Sequence, residues 1–183
     1  MSNKNKSFRH GLVIVYTGGG KGKTTAALGL AIRALGYDWR VCLIQFIKGT
    51  RKYGEIESVK RLTPNFELNI SGEGFVGILD DVKSISEHKS AAKKALNLSH
   101  KKIISGDYDI VILDEINYAL SLNLIEIEDI LELIRIRPRE VFLVLTGDKA
   151  NKQVIEIADL VTEMNAIKHP YQKGLPPIKG IDF

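Results

Sequence analysis

Short apolar runs rich in β-branched residues recur along the chain and are separated by longer segments of mixed polarity. Runs such as LVIVY are apolar at successive positions, which is typical of strands that are buried on both faces of a sheet. We therefore predict six strands, at residues 12–16, 40–46, 66–70, 109–113, 140–146 and 160–164.

The segments between these runs predict helices, because their apolar residues recur at helical spacing. The predicted helices cover residues 23–35, 86–105, 126–136 and 151–158. Gly36 and Gly106 stand where two of them should end, and Ser86 is a candidate N-cap. Residues 47–57 are predicted to form a long loop. Strands that alternate with helices indicate an α/β fold with a mainly parallel sheet, whose ligands bind at the carboxyl ends of the strands.

Composition indicates an ordinary globular domain, since 44% of the 183 residues are hydrophobic and 26% are charged. We expect residues 1–10 to form a mobile N-terminal arm and residues 11–183 to form a single domain. No apolar run approaches the roughly 18 residues of a membrane-spanning helix. The start lacks the apolar segment of a secretory signal, so we expect a cytoplasmic protein. Cys42, the only cysteine, is predicted to be a buried structural thiol.

The net charge of +4 is compatible with an anionic ligand. The basic residues are scattered, however, and no strip interleaves them with aromatic residues as in proteins that bind single-stranded nucleic acid. The four histidines are scattered too, and His169 has no partner at metal-ligand spacing, which favours a structural role. We therefore predict small-molecule substrates, with neither nucleic acid nor a membrane as a partner.

A glycine-rich turn joins the first predicted strand to the first predicted helix in the stretch TGGGKGKTT. This strand–loop–helix context is typical of a phosphate-binding loop and predicts a three-layer P-loop nucleotide-binding fold. Backbone N–H groups in such a loop point at anionic oxygens, and side chains would obstruct the approach of the ligand. The predicted binding residues are Gly18, Gly19, Gly20, Lys21, Gly22, Lys23, Thr24 and Thr25.

Two side chains of this loop have a specific chemistry. Lys23 adds a point charge beside the phosphates, and the hydroxyl of Thr24 can reach a magnesium ion. The usual motif begins with a glycine at the position that Thr17 occupies in this chain. A glycine-rich turn with a coincidental lysine is the alternative interpretation, and the order of strand, loop, Gly-Lys-Thr and helix argues against it.

Asp114 and Glu115 follow a hydrophobic run, where nucleotide-binding folds carry their second acidic element. A carboxylate there can hold magnesium directly or through water and so neutralise a triphosphate. We predict Glu115 as a metal ligand. For Asp114 the sequence leaves two interpretations open, a place in the metal shell and a helix cap.

Two further loops carry candidate residues with weaker signals. Lys48, Arg51 and Lys52 follow the second predicted strand and could meet an anionic ligand, although a basic surface loop is usually just solvated. The stretch GEGF presents Phe75, whose simplest interpretation without further context is an aromatic ring that tucks into the core from a surface turn.

Taken together, these stretches resemble the corrinoid (cob(I)alamin) adenosyltransferases of the phosphate-loop type. The matching pieces occur in the family's order from about residue 11 to residue 183, and the loop without a leading glycine is the family's form. They are TGGGKGKTTAALG, QFIKG with a later GE, GEGF, VILDEINYAL, RPREVFLVLTG, ADLVTEM, KHPY and KGIDF. The match is specific as a set, although GEGF alone is not.

The resemblance implies that a reduced Co(I) corrinoid attacks C5′ of ATP, forms a cobalt–carbon bond and expels inorganic triphosphate, with no general base required. It implies that residues 18–25 bind ATP and that Lys23 and Glu115 are catalytic. It further implies that Thr24 and Glu115 hold Mg²⁺ and that Phe75 contacts the corrinoid. A homodimer and an electron-donor protein as partner are also implied.

The chain departs from the family's pattern at three places. Val76-Gly77 follows GEGF where members often have Thr-Trp, and Asp148 follows LTG where arginine is usual. In the tail, Pro176-Pro177-Ile178 precedes the terminal KGIDF where members carry Lys-Ala-Gln. These departures leave open a diverged paralogue that binds ATP, and a corrinoid or a protein partner, without transfer. From the motif alone, a small P-loop kinase or nucleotide hydrolase is a further hypothesis.

Overall fold

The computed structural model of the chain describes residues 10–49, 53–74, 76–77 and 81–183. The strands are β1 (Val13–Thr17), β2 (Val41–Gln45), β3 (Phe66–Ile70), β4 (Ile110–Asp114), β5 (Phe142–Thr146) and β6 (Leu160–Glu163). The helices are α1 (Lys23–Leu35), α2 (Gly54–Lys60), α3 (Ile85–Ile104), α4 (Ile116–Ser121), α5 (Ile127–Ile136) and α6 (Lys152–Ile157), followed by a 3-10 helix at Pro170–Lys173.

The six strands form one sheet in the order β3-β2-β4-β5-β1-β6, and every pairing in it is parallel. The predicted α/β fold with a mainly parallel sheet is confirmed. The chain leaves β1, passes through α1 and returns to the sheet at β2, on the far side of β5 and β4. Ligands of such sheets bind where the strand order reverses, at the carboxyl ends of the strands.

Side chains that alternate along the strands build two apolar layers, one on each face of the sheet. Val111 and Leu113 belong to a buried cluster with Ile130 of α5. Ile112 belongs to a second cluster, which contains Ala27 of α1. Because both faces are covered at β1, β2, β4 and β5, successive residues of these strands are mostly apolar, and this explains why continuous runs identified them correctly.

Two predictions need correction, although the six strands agree with their predicted bounds to within two residues at each end. Ser84, rather than Ser86, is the N-cap of α3, because Ser84 and Glu87 form a reciprocal capping box. The predicted loop at 47–57 contains the start of α2, a helix of 7 residues that is too short to show a clear periodicity. The short helix α4, which was not among the predicted helices, follows β4 directly.

Several predictions about single residues and the N-terminal arm have definite outcomes. Of the predicted N-terminal arm, residues 1–9 lie outside the described residues, and His10 accepts a hydrogen bond from Arg139 Nε at 3.0 Å. Cys42 is buried in β2, as predicted, and burial raises the pKa of its thiol to about 12. His169 caps the 3-10 helix, where its Nδ1 accepts from the N–H of Tyr171.

None of the described helices combines the length and the apolar character that crossing a membrane requires.

Candidate active site

The glycine-rich loop connects β1 to α1 and packs against the end of β6. Gly18 and Gly22 have φ of 93° and 119°, in the left-handed region that favours glycine. A Cβ atom on Gly18 or Gly20 would lie 2.4 or 2.6 Å from the carbonyl oxygen of Met164. Gly19 has open space at this position. Two of the glycines are therefore required by packing within the protein, in addition to any role in admitting an anion.

The start of α1 provides positive charge for an anionic ligand. No side chain caps this helix at Gly22, and no acidic residue lies in its first turn. The first N–H groups and the positive end of the helix dipole are therefore uncompensated by local side chains. Lys23 lies across the loop and donates from Nζ to the carbonyl oxygens of Gly18 and Gly20 at 2.7 and 2.8 Å.

Asp114 fixes the loop to the sheet from the end of β4. Its Oδ1 accepts hydrogen bonds from the hydroxyl groups of Thr24, at 2.8 Å, and of Thr146, at 2.7 Å. Its side chain is completely buried. Asp114 is thus part of the strand and does not cap α4; the N-cap position belongs to Glu115, which makes no side-chain cap bond.

Glu115 lies beside this buried carboxylate at the edge of a cavity. Its φ of 63° is left-handed, and its N–H donates to the hydroxyl oxygen of Thr146 at 2.9 Å. Burial and the charge of Asp114 raise the pKa of Glu115 to about 7, although Lys23 and Lys48 act in the opposite direction. A left-handed φ is a strained conformation for a residue other than glycine.

A second lysine enters the site from the segment that follows β2. Lys48 Nζ lies 2.9 Å from Glu55 Oε1 and 3.4 Å from Asp114 Oδ2. Gln45 Nε2 contacts the same two carboxylates at 3.2 and 3.4 Å, and Gln45 Oε1 is buried without a hydrogen-bond partner among the described residues. Burial alone would lower the pKa of Lys48, but the two carboxylates raise it above its ordinary value.

These groups surround a cavity of about 570 Å³ between α1 and α2. The residues with polar side chains that line it are Lys21, Lys23, Thr24, Thr25, Lys48, Glu55, Ser58, Glu115 and Asp182. Leu28, Leu62 and Phe66 contribute to an apolar part of the wall. The cavity therefore combines a cationic region at the phosphate loop with an apolar region beside it.

The end of the chain closes one side of this cavity. Residues 180–183 line it, and Lys21 forms an ion pair with Asp182. Asp182 also accepts from the N–H of Ile178 at 2.7 Å, which folds the tail into a turn. Pro176-Pro177, one of the departures from the family's pattern, is exposed just before this turn.

The structure brings most of the predicted site residues together. Lys21 to Thr25 and Glu115 line one cavity, whereas Gly18, Gly19 and Gly20 form the base of the loop. Phe75, Arg51 and Lys52 lie outside the described residues. Sequence reasoning missed Glu55 and Asp182. The GE that follows QFIKG was a usable signal for Glu55, but Asp182 is separated from Lys21 by 161 positions and had no local signal.

Two other departures occupy definite environments. Gly77 has φ of 72°, and its N–H donates to Asp81 Oδ2 at 2.7 Å; His88 Nε2 lies 3.0 Å from Asp81 Oδ1. A buried histidine thus holds the end of the GEGFVG stretch against α3. Asp148 contributes, as the last of several causes, to the raised pKa of Glu115.

The chain matches the model of a known protein family over most of its length. The family model described as ATP:corrinoid adenosyltransferase BtuR/CobO/CobP matches residues 9–183. The chain belongs to the ATP:corrinoid adenosyltransferase family. The resemblance drawn from separate stretches of the sequence is confirmed, and the matched range includes the phosphate loop, β4 and the tail.

Named relatives of the ATP:corrinoid adenosyltransferase family agree with this assignment. The corrinoid adenosyltransferase of Pseudomonas aeruginosa is 36% identical over 174 residues, which cover 94% of this chain and 84% of that protein. That of a Sinorhizobium species is 35% identical over 180 residues, or 97% of this chain and 83% of the relative. The corrinoid adenosyltransferase of Escherichia coli K12 is 31% identical over 173 residues, which cover 94% of this chain and 86% of that protein.

A solved structure shows the same fold at much lower sequence identity. The flagellar accessory protein FlaH from Methanocaldococcus jannaschii superposes with a TM-score of 0.56 and is 14% identical. The match covers 85% of this chain and 71% of FlaH. At this identity the similarity concerns the fold alone.

Proposed function

We propose that this protein transfers the 5′-deoxyadenosyl group of ATP to a Co(I) corrinoid and releases triphosphate. The observation that carries the proposal is a single cavity that unites Lys23, Thr24 and Glu115 in a chain of the ATP:corrinoid adenosyltransferase family. The cobalt supplies the electron pair for the new cobalt–carbon bond, and the electron pair of the broken C5′–O bond leaves with the triphosphate.

The phosphate loop stabilises the leaving group in this scheme. The triphosphate gains negative charge while the C5′–O bond breaks, so preorganised N–H groups and cations lower the barrier. The uncapped first turn of α1 and Lys23 supply such groups. The reacting cobalt needs no deprotonation, and therefore no side chain has to act as a general base.

The residues around Thr24 suit a magnesium ion. The hydroxyl of Thr24 and the carboxylates of Asp114 and Glu115 are oxygen ligands of the kind that Mg²⁺ prefers. Within the described ranges, no cluster of three or more His, Cys, Asp or Glu side chains could hold a metal. Sharing of Mg²⁺ between a few side chains, waters and phosphates fits this arrangement. When bound, the ion would neutralise charge on the triphosphate.

The remaining assignments are part of the same proposal. Phe75 contacts the corrinoid, as the family resemblance implies, and Asp114 joins Thr24 and Glu115 in holding Mg²⁺. Since Co(I) has to be generated by reduction, an electron-donor protein is a partner. The protein acts in the cytoplasm as a homodimer.

An anaerobic assay with chemically reduced cobalamin, Mg²⁺ and ATP tests the proposal. We expect the corrinoid spectrum to change to that of the adenosylated form, and we expect Lys23→Ala to abolish this change. Lys60→Met is the control, because Lys60 is an exposed residue of α2 that pairs with Glu57. If the wild-type protein binds ATP but leaves reduced cobalamin unchanged, the transfer activity is wrong and a diverged paralogue is the better description.

A further inference from the structure

We propose that Lys48 is a second cation for the triphosphate and that Glu55 is the residue that positions it. This inference rests on the proposed function, because it assigns Lys48 to the leaving group of that reaction. It gives a role to the basic segment after β2, which the sequence alone could not distinguish from a solvated loop.

The position of Lys48 connects it to the phosphate loop. Its side chain is only 12% exposed and lines the same cavity as Lys23 and Thr24. Its Nζ lies 3.4 Å from Asp114 Oδ2, while Oδ1 of the same carboxylate accepts from Thr24 at 2.8 Å. One carboxylate therefore separates the Lys48 ammonium from the loop.

The environment of Lys48 differs from that of an ordinary surface lysine. A buried ammonium is unfavourable unless it is paired, and here two carboxylates and the ring of Tyr53, centred 5.1 Å away, surround it. Asp114 is completely buried and Glu55 is 13% exposed, so the pair of acids carries more negative charge than Lys48 neutralises. A second cation bound at Asp114 would neutralise the remaining negative charge of the two carboxylates. Lys48 would then be left facing the cavity.

Glu55 is the second carboxylate that pairs with Lys48, beside Asp114. It lies in the first turn of α2, and its Oε1 contacts Lys48 Nζ at 2.9 Å and Gln45 Nε2 at 3.2 Å. The pKa of Glu55 lies below its ordinary value; burial opposes this shift, and Lys48 is the main cause of it. Glu55 thus stays ionised and keeps the ammonium at the cavity wall when Asp114 engages another cation.

The chemical consequence concerns the highly charged leaving group. A point charge in a partly buried site interacts with a phosphate more strongly than one in bulk water. Groups that stabilise charge in a transition state contribute about 10²–10³ in kcat each when they are removed singly. We therefore expect Lys48 to contribute to turnover as well as to the binding of triphosphate.

The test compares the wild type with Lys48→Met, Glu55→Gln and the double variant. Two quantities are measured: the affinity for inorganic triphosphate with Mg²⁺ by calorimetry, and kcat with saturating ATP. We expect Lys48→Met to weaken triphosphate binding at least tenfold and to lower kcat about a hundredfold, as for other charge-stabilising groups. Glu55→Gln should have a smaller effect, which disappears in the Lys48→Met background because Glu55 acts through Lys48.

Controls keep the outcomes distinct. Lys60→Met removes an exposed lysine of α2 and should behave as wild type. Wild-type triphosphate affinity in folded Lys48→Met overturns the proposal, and additive effects in the double variant overturn the positioning role of Glu55. If Lys48→Met does not fold, unchanged triphosphate affinity in Glu55→Gln is the contradicting result. Triphosphate binding needs no corrinoid, so failure of adenosyl transfer would leave this comparison decisive.

Discussion

At the scale of single residues, Asp114 determines how the phosphate loop is attached to the sheet. It accepts from Thr24 of α1 and Thr146 of β5, and it contacts Lys48 from the segment after β2. The sequence placed Asp114 at the correct strand end but could not choose between metal shell and cap. The choice depends on which hydroxyl groups lie within hydrogen-bond distance, and these come from positions 90 and 32 residues away.

Thr24 offers a direct test of this arrangement. Thr24→Val removes the hydroxyl that donates to Asp114, and the buried carboxylate loses one of its partners. We expect a loss of about 1–3 kcal/mol in the free energy of unfolding, because a buried acceptor is left undersatisfied. We also expect a higher Mg²⁺ concentration for half-maximal activity. Thr24→Ser retains the hydroxyl and is the control; equal Mg²⁺ requirements in both variants would contradict the role of Thr24.

At the scale of elements, α3 is held by polar contacts at both of its ends, and the contact near its C-terminal end attaches it to the sheet. Its start is fixed by the capping box of Ser84 and Glu87. Near its end, Lys102 pairs with Glu67 of the edge strand β3 at 2.7 Å, and Tyr108 donates to the same carboxylate. The apolar face of α3 was visible in the sequence pattern, but the contacts of Lys102 and Tyr108 with Glu67 depend on the pairing of distant segments.

The cap of α3 distinguishes two neighbouring serines. Ser84→Ala removes the side-chain oxygen that accepts from the N–H of Glu87, and we expect a loss of about 1 kcal/mol in the free energy of unfolding. Ser86→Ala, at the cap position that the sequence suggested, should change it by less than about 0.5 kcal/mol. Urea unfolding followed by circular dichroism measures both. A larger loss in Ser86→Ala would show that the helix begins elsewhere.

The Glu67 cluster predicts a pH dependence of stability. Burial opposes the shift, but hydrogen bonds from Lys102, Tyr108 and Asn69 lower the pKa of Glu67 from 4.5 to about 2. Because the folded-state pKa is the lower one, the stabilisation is present above pH 4.5 and is lost as the pH falls towards 2.

Melting temperatures of the wild type and Glu67→Gln should test this dependence. We expect the wild type to be the more stable protein at neutral pH and the difference to shrink as the solution is acidified below pH 4.5. Glu156→Gln, which changes an exposed glutamate of α6, is the control for a general effect of charge. A difference that stays constant down to pH 3 would contradict the shifted pKa of Glu67.

At the scale of the whole molecule, the sheet places its chemistry at one edge because all six strands run in the same direction. The loop after β1, Glu115 after the end of β4 and Lys48 after β2 therefore line one cavity. The sequence predicted this edge from three local motifs. It could not predict that residues 180–183 close the cavity, because the contact of Lys21 with Asp182 depends on the path of the entire tail.

Predictability in this chain thus follows the range of the interactions. Buried strands and the phosphate loop are encoded in runs of five to eight residues and were identified correctly as elements. The short helix α2 lacks a periodic pattern of its own, and its residue Glu55 lines the cavity. Departures such as Gly77 and Asp148 are visible in the sequence, whereas the contact of Gly77 with Asp81 and the influence of Asp148 on Glu115 depend on the fold.

The phosphate product of the reaction is the most direct test of the central claim. Phosphorus NMR of an anaerobic mixture of protein, reduced cobalamin, Mg²⁺ and ATP distinguishes intact triphosphate from ADP and phosphate. The account predicts inorganic triphosphate in a one-to-one ratio with adenosylated corrinoid. ADP and phosphate as the products would indicate a kinase or hydrolase, and they would contradict transfer from C5′ to cobalt.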